Sequence, residues 1–551
     1  MGLGMFGWGN PANFVEELAT PLHARAFYVE SGEESAAIVV CELLAVSQAI
    51  KESVSAKIVA DHPETGLHRE NLMLLATHTH SAPGGYSQYT FYAMEAPGFC
   101  EEMLEDIVDA IVGALVEAWK TRASGFVRFD EGVFDDDCEV AFNRSPLSWN
   151  RNPETPKLDW ASRHLGVDRR LRLLRFDDED GCCRGELNFF GVHGTSVHSD
   201  NRKVHYDNKG YAAAILEREQ GEGFVGAFAQ GTTGDVTPNF RTHPGKPWIR
   251  GKFPDDDASA RFNGELQARK ASETLEQASQ EPPLAPVLGS AHLHADLSKV
   301  EVLPRFVNGQ EGCRTGMPKL GVAMFFGTDE GPGLPRKHLW VQALARQLRP
   351  FWRLIPRGRA ARARQGEHDA THAEKVTMME TGRRRFLGIR RLKRVPIPSS
   401  ASPTTRMIHA FDAGNRPNPK PWTPMVLPAQ LIRIGELVIA AAPHELTTIA
   451  GRRIEEMLLE QLEPLGVRRV VVAGYANAYA GYVTTPEEYE VQDYEGASTH
   501  FGKWTLPAWL TLFSRLGEDL VAPGTRRVAE EPLPPVFQAD ELAEIRYRPS
   551  R

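Results

Sequence analysis

Three observations predict an α/β fold, a large single domain with a mixed β-sheet core flanked by helices. Apolar runs of strand length alternate with amphipathic stretches through about residue 240. The runs stop at Gly, Pro or hydroxyl-rich turns, as buried strands do where they leave a sheet. No internal repeat divides the 551 residues, so a solenoid or propeller is not indicated. Residues 1–523 read as the domain, and 524–551, Pro-rich and charged, as a C-terminal tail.

The first strand signal is Ala36-Ala37-Ile38-Val39-Val40-Cys41, followed by a helical pattern from Ser47 to Ala60. Asn71–Tyr86 reads NLMLLATHTHSAPGGY, in which the apolar run Leu72–Ala76 meets His78-Thr79-His80 and a Pro-Gly-Gly turn. Side chains alternate along extended backbone, so His78 and His80 are expected on one side, a plausible metal or proton-transfer pair. Residues 101–121 have the three-to-four spacing of an amphipathic helix, with acidic residues in the first turn where the helix dipole favours them. Gln430–Ala442 reads as two strands about a turn at Gly435, Thr447–Leu459 as a helix, and Val470–Ala473 as a buried strand closed by Gly474.

Composition narrows the class. With 42% hydrophobic and 25% charged residues the chain is an ordinary globular protein, and a formal charge of −9 argues against nucleic-acid binding. The six cysteines include no C-x-x-C pair, which excludes a zinc finger or disulfide framework. No apolar run spans a bilayer, and the N-terminus lacks the parts of a signal peptide, so the protein as written is expected in the cytoplasm. A start lying upstream would make it secreted. Arg346–Arg394 carries 15 Lys/Arg against four acidic residues, with Phe351, Trp352 and Phe386 interleaved. It reads as a solvated basic loop, or as a surface making peripheral contact with anionic membrane.

Four further stretches place polar groups at the ends of apolar runs: FFGVHGTS with His193, GTTGDVTPN with Thr237, APHELTT with Glu445, and YVTT…YEGAS with Tyr482 and Tyr494. Singly, each fits a structural role: a satisfied core histidine, a carboxylate at a helix N-terminus, a core tyrosine. With His78 they supply imidazole nitrogens, a carboxylate and a phenol, a donor set suited to Zn²⁺ with one position left open to water.

From Met5 to Gly502 the sequence resembles the neutral/alkaline (non-lysosomal) ceramidase family. The likeness is carried in order by THTHSAPGGY, NRSP, FFGVHGTS, DNKGYA, GDVTPN, GTDEGPG, APHELTTIAGRR and YVTTPEEYEVQDYEGAST. It implies a zinc amidase that cleaves the N-acyl amide of ceramide, with one Zn²⁺ on His78, His193, Glu445 and Tyr482. It further implies His80 as proton carrier, Tyr482 as oxyanion donor, Arg144 and Tyr494 on the sphingoid hydroxyls, and Gly7 at the substrate entrance. Two residues depart from the family pattern. Thr237 replaces a serine and is expected to orient the amide, and His444 replaces a glycine beside Glu445. The family's usual C-terminal immunoglobulin-like domain is expected to be absent. Two alternatives stay open: a zinc amidase for another N-acyl lipid, or a non-catalytic lipid-binding member.

Overall fold

Three β-sheets each turn one face toward a shared core, and each covers its other face with a pair of helices. The structure is a computed structural model. It describes residues 2–333, 359–388, 420–521 and 531–547 apart from positions 11 and 97, with parts of 340–347. In the first sheet Ala24–Ser31 (β1) runs antiparallel to Glu34–Cys41 (β2), which pairs in parallel with Leu72–Ala76 (β3). The second comprises Gly125–Val133 (β4), Arg170–Asp178 (β5), Cys183–Phe190 (β6) and Val225–Gln230 (β7), with β6 and β7 parallel. The third orders Leu288–Asp296 (β8), Val426–Ile434 (β9), Leu437–Ala441 (β10) and, beyond a two-residue strand Glu445–Leu446 (β11), Arg469–Ala473 (β12). The sheets are mixed and none closes into a barrel.

The period-two alternation of the strands produces this layering. Ile38, Val40, Met73 and Leu75 face the shared core, where they meet Leu187, Phe189, Ile439 and Val471 from the other two sheets. Leu72, Leu74 and Ala76 face outward onto Gln48–Asp61 (α1) and Glu101–Lys120 (α2). The second sheet is covered by Asp207–Gln220 (α3) and Asp256–Ala278 (α4), and the third by Thr448–Leu462 (α5) and Thr505–Val521 (α6). Helix starts follow local chemistry: the Ser47 hydroxyl caps α1 by accepting from the Ile50 N–H at 3.2 Å. The turn between β9 and β10 falls at Gly435, whose φ of 58° is costly for other residues.

Strand β3 is the edge of its sheet yet fully buried, so its outward N–H and C=O groups need partners. Side-chain amides supply them. The Leu74 N–H donates to Asn477 Oδ1 at 3.0 Å, and the Asn477 N–H donates back to the Leu74 carbonyl at 2.9 Å. Gln430, on β9, donates to the carbonyls of Glu70 (2.8 Å) and Leu72 (3.2 Å) and accepts from Asn477 Nδ2 at 2.7 Å. Gln230, at the end of β7, donates to the Thr77 and Val192 carbonyls at 2.8 and 2.6 Å. These amides fasten the strand that leads into His78 to both other sheets.

The segment expected as a tail returns to the body where it is described. The Ile545 carbonyl accepts from the Phe99 N–H at 2.6 Å, the Tyr547 N–H donates to the Phe99 carbonyl at 2.6 Å, and Ile545 is buried. The expected membrane contact of 346–394 rests largely on residues outside those described. In its described part Lys375 is buried, donating to the carbonyls of Lys319, Ala497 and Thr499, and Arg383 pairs with Glu367. These two cations belong to the fold. Among the described residues no helix is long and apolar enough to cross a membrane.

Replacing Asn477 by Ala leaves the buried Leu74 N–H unsatisfied and puts a Cβ residue without a local hydrogen bond at φ 61°. We expect a cost of about 2–4 kcal/mol, seen as a lowered Tm together with faster exchange of the Leu74 amide. Asn477→Gly, free of the φ penalty, should recover only part of the loss. Exchange unchanged at Leu74 would show that the amide bridge is not needed.

Candidate metal centre and active site

The carboxyl ends of β3, β6, β10 and β12 converge, and each delivers a polar side chain to the same cavity of about 90 Å³. His78 follows β3, His193 follows β6, and Glu445 lies on β11 just after β10. Tyr475 and Tyr479 follow β12, and Tyr482 opens Tyr482–Val483 (β13), which pairs in parallel with β11 so that Glu445 and Tyr482 are direct neighbours. A bridge between Thr79 and Gly194, with the His80 N–H donating to the Gly194 carbonyl at 3.0 Å, joins the loops that bear the histidines.

His78 and His80 are adjacent, as expected, but not by alternation along a strand. The strand ends at Ala76, and His78 adopts φ 66°, a left-handed conformation costly for a residue with a Cβ. That turn, rather than strand alternation, brings the two Nε2 atoms to 3.1 Å. Glu445 likewise does not open a helix: α5 begins at Thr448, and Glu445 is held in the two-residue ladder with Tyr482.

Hydrogen bonds fix the tautomers. His78 Nδ1 lies 2.7 Å from the Leu44 carbonyl and His193 Nδ1 2.8 Å from the Val236 carbonyl. A carbonyl only accepts, so both Nδ1 atoms carry hydrogen and, in the neutral rings, both Nε2 atoms present lone pairs. His193 Nε2 faces Glu445 Oε2 at 3.0 Å, and His78 Nε2 faces the same oxygen at 3.7 Å. A ring nitrogen this close to a carboxylate oxygen requires positive charge between them, supplied by a proton or by a metal ion. Ligands of a tetrahedral ion with bonds of about 2.0–2.1 Å are about 3.3 Å apart, and the two distances bracket that value. Buried His78, His80 and His193 form a group that can hold a metal ion. Glu445 is aimed by the hydroxyls of Tyr475, at 3.2 Å, and Tyr479.

Tyr482 lines the cavity, and its hydroxyl accepts from Arg144 Nη2 at 3.0 Å. Arg144 also donates to Glu330 (2.7 Å), Glu495 (2.9 Å) and the Gly234 carbonyl (2.9 Å), so most of its donors are engaged within the protein. Tyr494 stands edge-on to Tyr482, with ring centres 5.5 Å apart, and also lines the cavity. Thr237 does not. It is buried behind the wall, where its hydroxyl donates to Glu330, and it orients that carboxylate rather than a cavity occupant. Glu330, Glu495, Tyr475 and Tyr479 were not singled out from sequence. The first two lay inside GTDEGPG and YEGAS, whose motif residues offered no charge partner to reason from.

Gly7 lines the cavity beside His80. Its φ is 122°, and a Cβ there would lie 2.7 Å from His80 Nδ1 and 2.6 Å from Leu44 Cδ1. Gly7→Ala is therefore expected to displace the imidazole and lower kcat by about tenfold to a hundredfold with the fold retained. A wild-type kcat would show that His80 tolerates the shift.

Burial sets most protonation states here. It pushes the His78 imidazole down to about 3 and His444 down to about 4. Burial opposes ionisation of Glu330, yet Arg144 and the surrounding donors hold it down to about 2. The histidine pKa values fall on folding, so unfolding takes up protons between about pH 4 and 6.5. Their contribution to stability is complete above about pH 6.5 and lost as pH falls through that window. The Tm of metal-free protein should rise from pH 4 to 6.5, and a flat profile would contradict the assignment.

Fold and donor set together define a buried site at the strand ends that can hold a metal ion. The family model described as neutral/alkaline non-lysosomal ceramidase, N-terminal, matches residues 1–388 and 396–511, and the chain belongs to that family. The neutral ceramidase of Pseudomonas aeruginosa is 33% identical over 523 residues, covering 93% of this chain and 68% of that protein. That of Mycobacterium tuberculosis is 31% identical over 532 residues, covering 94% and 74%. Among solved structures, a ceramidase complexed with C2 superposes with a TM-score of 0.76 at 31% identity, covering 94% of this chain and 73% of that one. The neutral ceramidase from Pseudomonas aeruginosa gives 0.72 at 31% identity, covering 94% and 72%.

Proposed function

We propose that the protein hydrolyses the N-acyl amide of ceramide to sphingosine and a fatty acid, using one Zn²⁺ held by His78, His193, Glu445 and Tyr482. The observation that carries this reading is the convergence of His193 Nε2 and His78 Nε2 on one oxygen of Glu445, at 3.0 and 3.7 Å, beside a buried histidine group able to hold a metal ion. Zinc bound there supplies a water that ionises near neutral pH and a polarised amide carbonyl.

The chain's own side chains do the rest. His80 is buried beside His78, its ring neutral because burial disfavours the imidazolium, so it can take a proton from water and return it to the leaving nitrogen. Arg144 directs positive charge at the Tyr482 oxygen, which places that hydroxyl to stabilise the developing oxyanion. Glu330 and Glu495 hold the guanidinium in place, and Thr237 in turn holds Glu330. Tyr494 and the remaining Arg144 donor are available to the sphingoid hydroxyls. The two departures from the family pattern stay behind the cavity wall. His444 packs on Trp509 with ring centres 5.1 Å apart and, like Thr237, does not line the cavity. Neither gives a reason to choose another N-acyl lipid.

The test combines metal analysis with turnover of labelled ceramide. Wild-type protein should carry one zinc per chain, lose fatty-acid release on chelation and regain it on adding zinc. His78→Ala should lose both metal and turnover. Full zinc content with a normal rate in that variant would refute the ligand assignment.

A further inference from the structure

At the mouth of the cavity lies one carboxylate that the metal site and the Arg144 network do not use. Glu95 lines the cavity together with Phe6, Trp8, Phe91, Tyr92 and Met324, walls that are aromatic or apolar. It is only partly exposed, and among the described residues no Lys, Arg or His forms an ion pair with it. Among the described residues its carboxylate accepts from backbone only, from the Gly7 N–H to Oε2 at 2.7 Å and from Gly9. Gly7 in turn packs on His80, so the carboxylate sits one residue's thickness from the proton carrier. Burial raises the Glu95 pKa to about 7 against the opposing backbone hydrogen bonds from Gly7 and Gly9. A carboxylate kept in such surroundings without a cation is incompletely satisfied. The other carboxylates on this wall are engaged: Glu330 with Arg144, and Glu445 with the histidines and tyrosines.

The reaction generates what Glu95 lacks. Amide hydrolysis joins the water oxygen to the acyl carbon and breaks the C–N bond. At neutral pH the acid leaves as a carboxylate and the nitrogen, which has gained two protons, as an ammonium. We propose that Glu95 is the docking point for the amino-alcohol half of the substrate: it accepts from the hydroxyl-bearing headgroup on entry and pairs with the ammonium before release. This deepens the ceramide reading and rests on it. Glu95 thereby selects long-chain amino alcohols over uncharged amines and sets how long the amine product is retained.

Glu95→Gln keeps an oxygen for the Gly7 N–H and removes the charge, so it separates docking from support of Gly7. With full-length zinc-loaded protein, ceramide turnover would be measured against added sphingosine and, separately, added fatty acid in the same detergent micelles. The expected result is about a tenfold or greater rise in the inhibition constant for sphingosine, an unchanged constant for the fatty acid, and partial recovery in Glu95→Asp. An unchanged sphingosine constant in an active Glu95→Gln variant overturns the proposal and leaves the ceramidase reading intact. An equal rise for both products shows a distorted mouth and also overturns it. Wild-type protein that releases no fatty acid from ceramide overturns both readings together.

Discussion

The site depends on a ring nitrogen and a carboxylate oxygen facing each other. With Nδ1 of His193 committed to the Val236 carbonyl, Nε2 is the nitrogen left to face Glu445, and the 3.0 Å gap is stable only around positive charge, a proton or a bound cation. Burial sharpens this demand, because repulsion and attraction both grow as the effective dielectric falls. The same burial disfavours the imidazolium at His78 and leaves that ring available as a ligand. Backbone carbonyls therefore choose the tautomer, and the tautomer chooses the ligand.

Holding that arrangement requires ends of strands from three separate sheets to stay in register with one another. Apolar packing alone is poorly suited to this, since hydrophobic contacts are non-directional and tolerate small slides. Directed hydrogen bonds do it instead. Asn477, Gln430 and Gln230 cross between sheets and bond β3 and its extension at fixed backbone positions. Each amide is itself buried, so the three are stabilising only while all their partners are in place. A site built from distant segments thus rests on buried polar bridges that specify position rather than supply most of the stability.

Much of this was legible in the sequence, and the limits have physical causes. Leu72–Ala76, Leu437–Ala441 and Val470–Ala473 are continuous apolar runs closed by turns, the signature of strands buried on both faces, and they are strands. His78, His193 and Glu445 stand just after apolar runs and so draw attention by position, whereas Tyr482 stands out as a ligand only through the family resemblance. What alternation could not show was the left-handed turn at His78, which depends on contacts with residues 43 and 44. Thr237 was placed one layer too far forward for a similar reason: a short strand end exposes either side according to its partner, and the partner, Phe142, is distant in sequence. Glu330 and Glu495 matter through Arg144, and a guanidinium's partners cannot be read without the fold.

Charge explains why the cavity has two ends of different character. At the inner end Glu330 and Glu495 share the Arg144 guanidinium, and Glu445 faces the histidines, so a divalent ion there would leave no excess negative charge. Glu95, set apart by Gly7, is outside that balance. An amide arriving from the mouth is neutral and gains little from Glu95 beyond a hydrogen bond, whereas the ammonium it becomes is attracted at close range in a poorly hydrated setting. The fatty-acid carboxylate feels the opposite sign. On the role proposed for Glu95, the acid would therefore be the product repelled from the mouth and the amine the one that lingers.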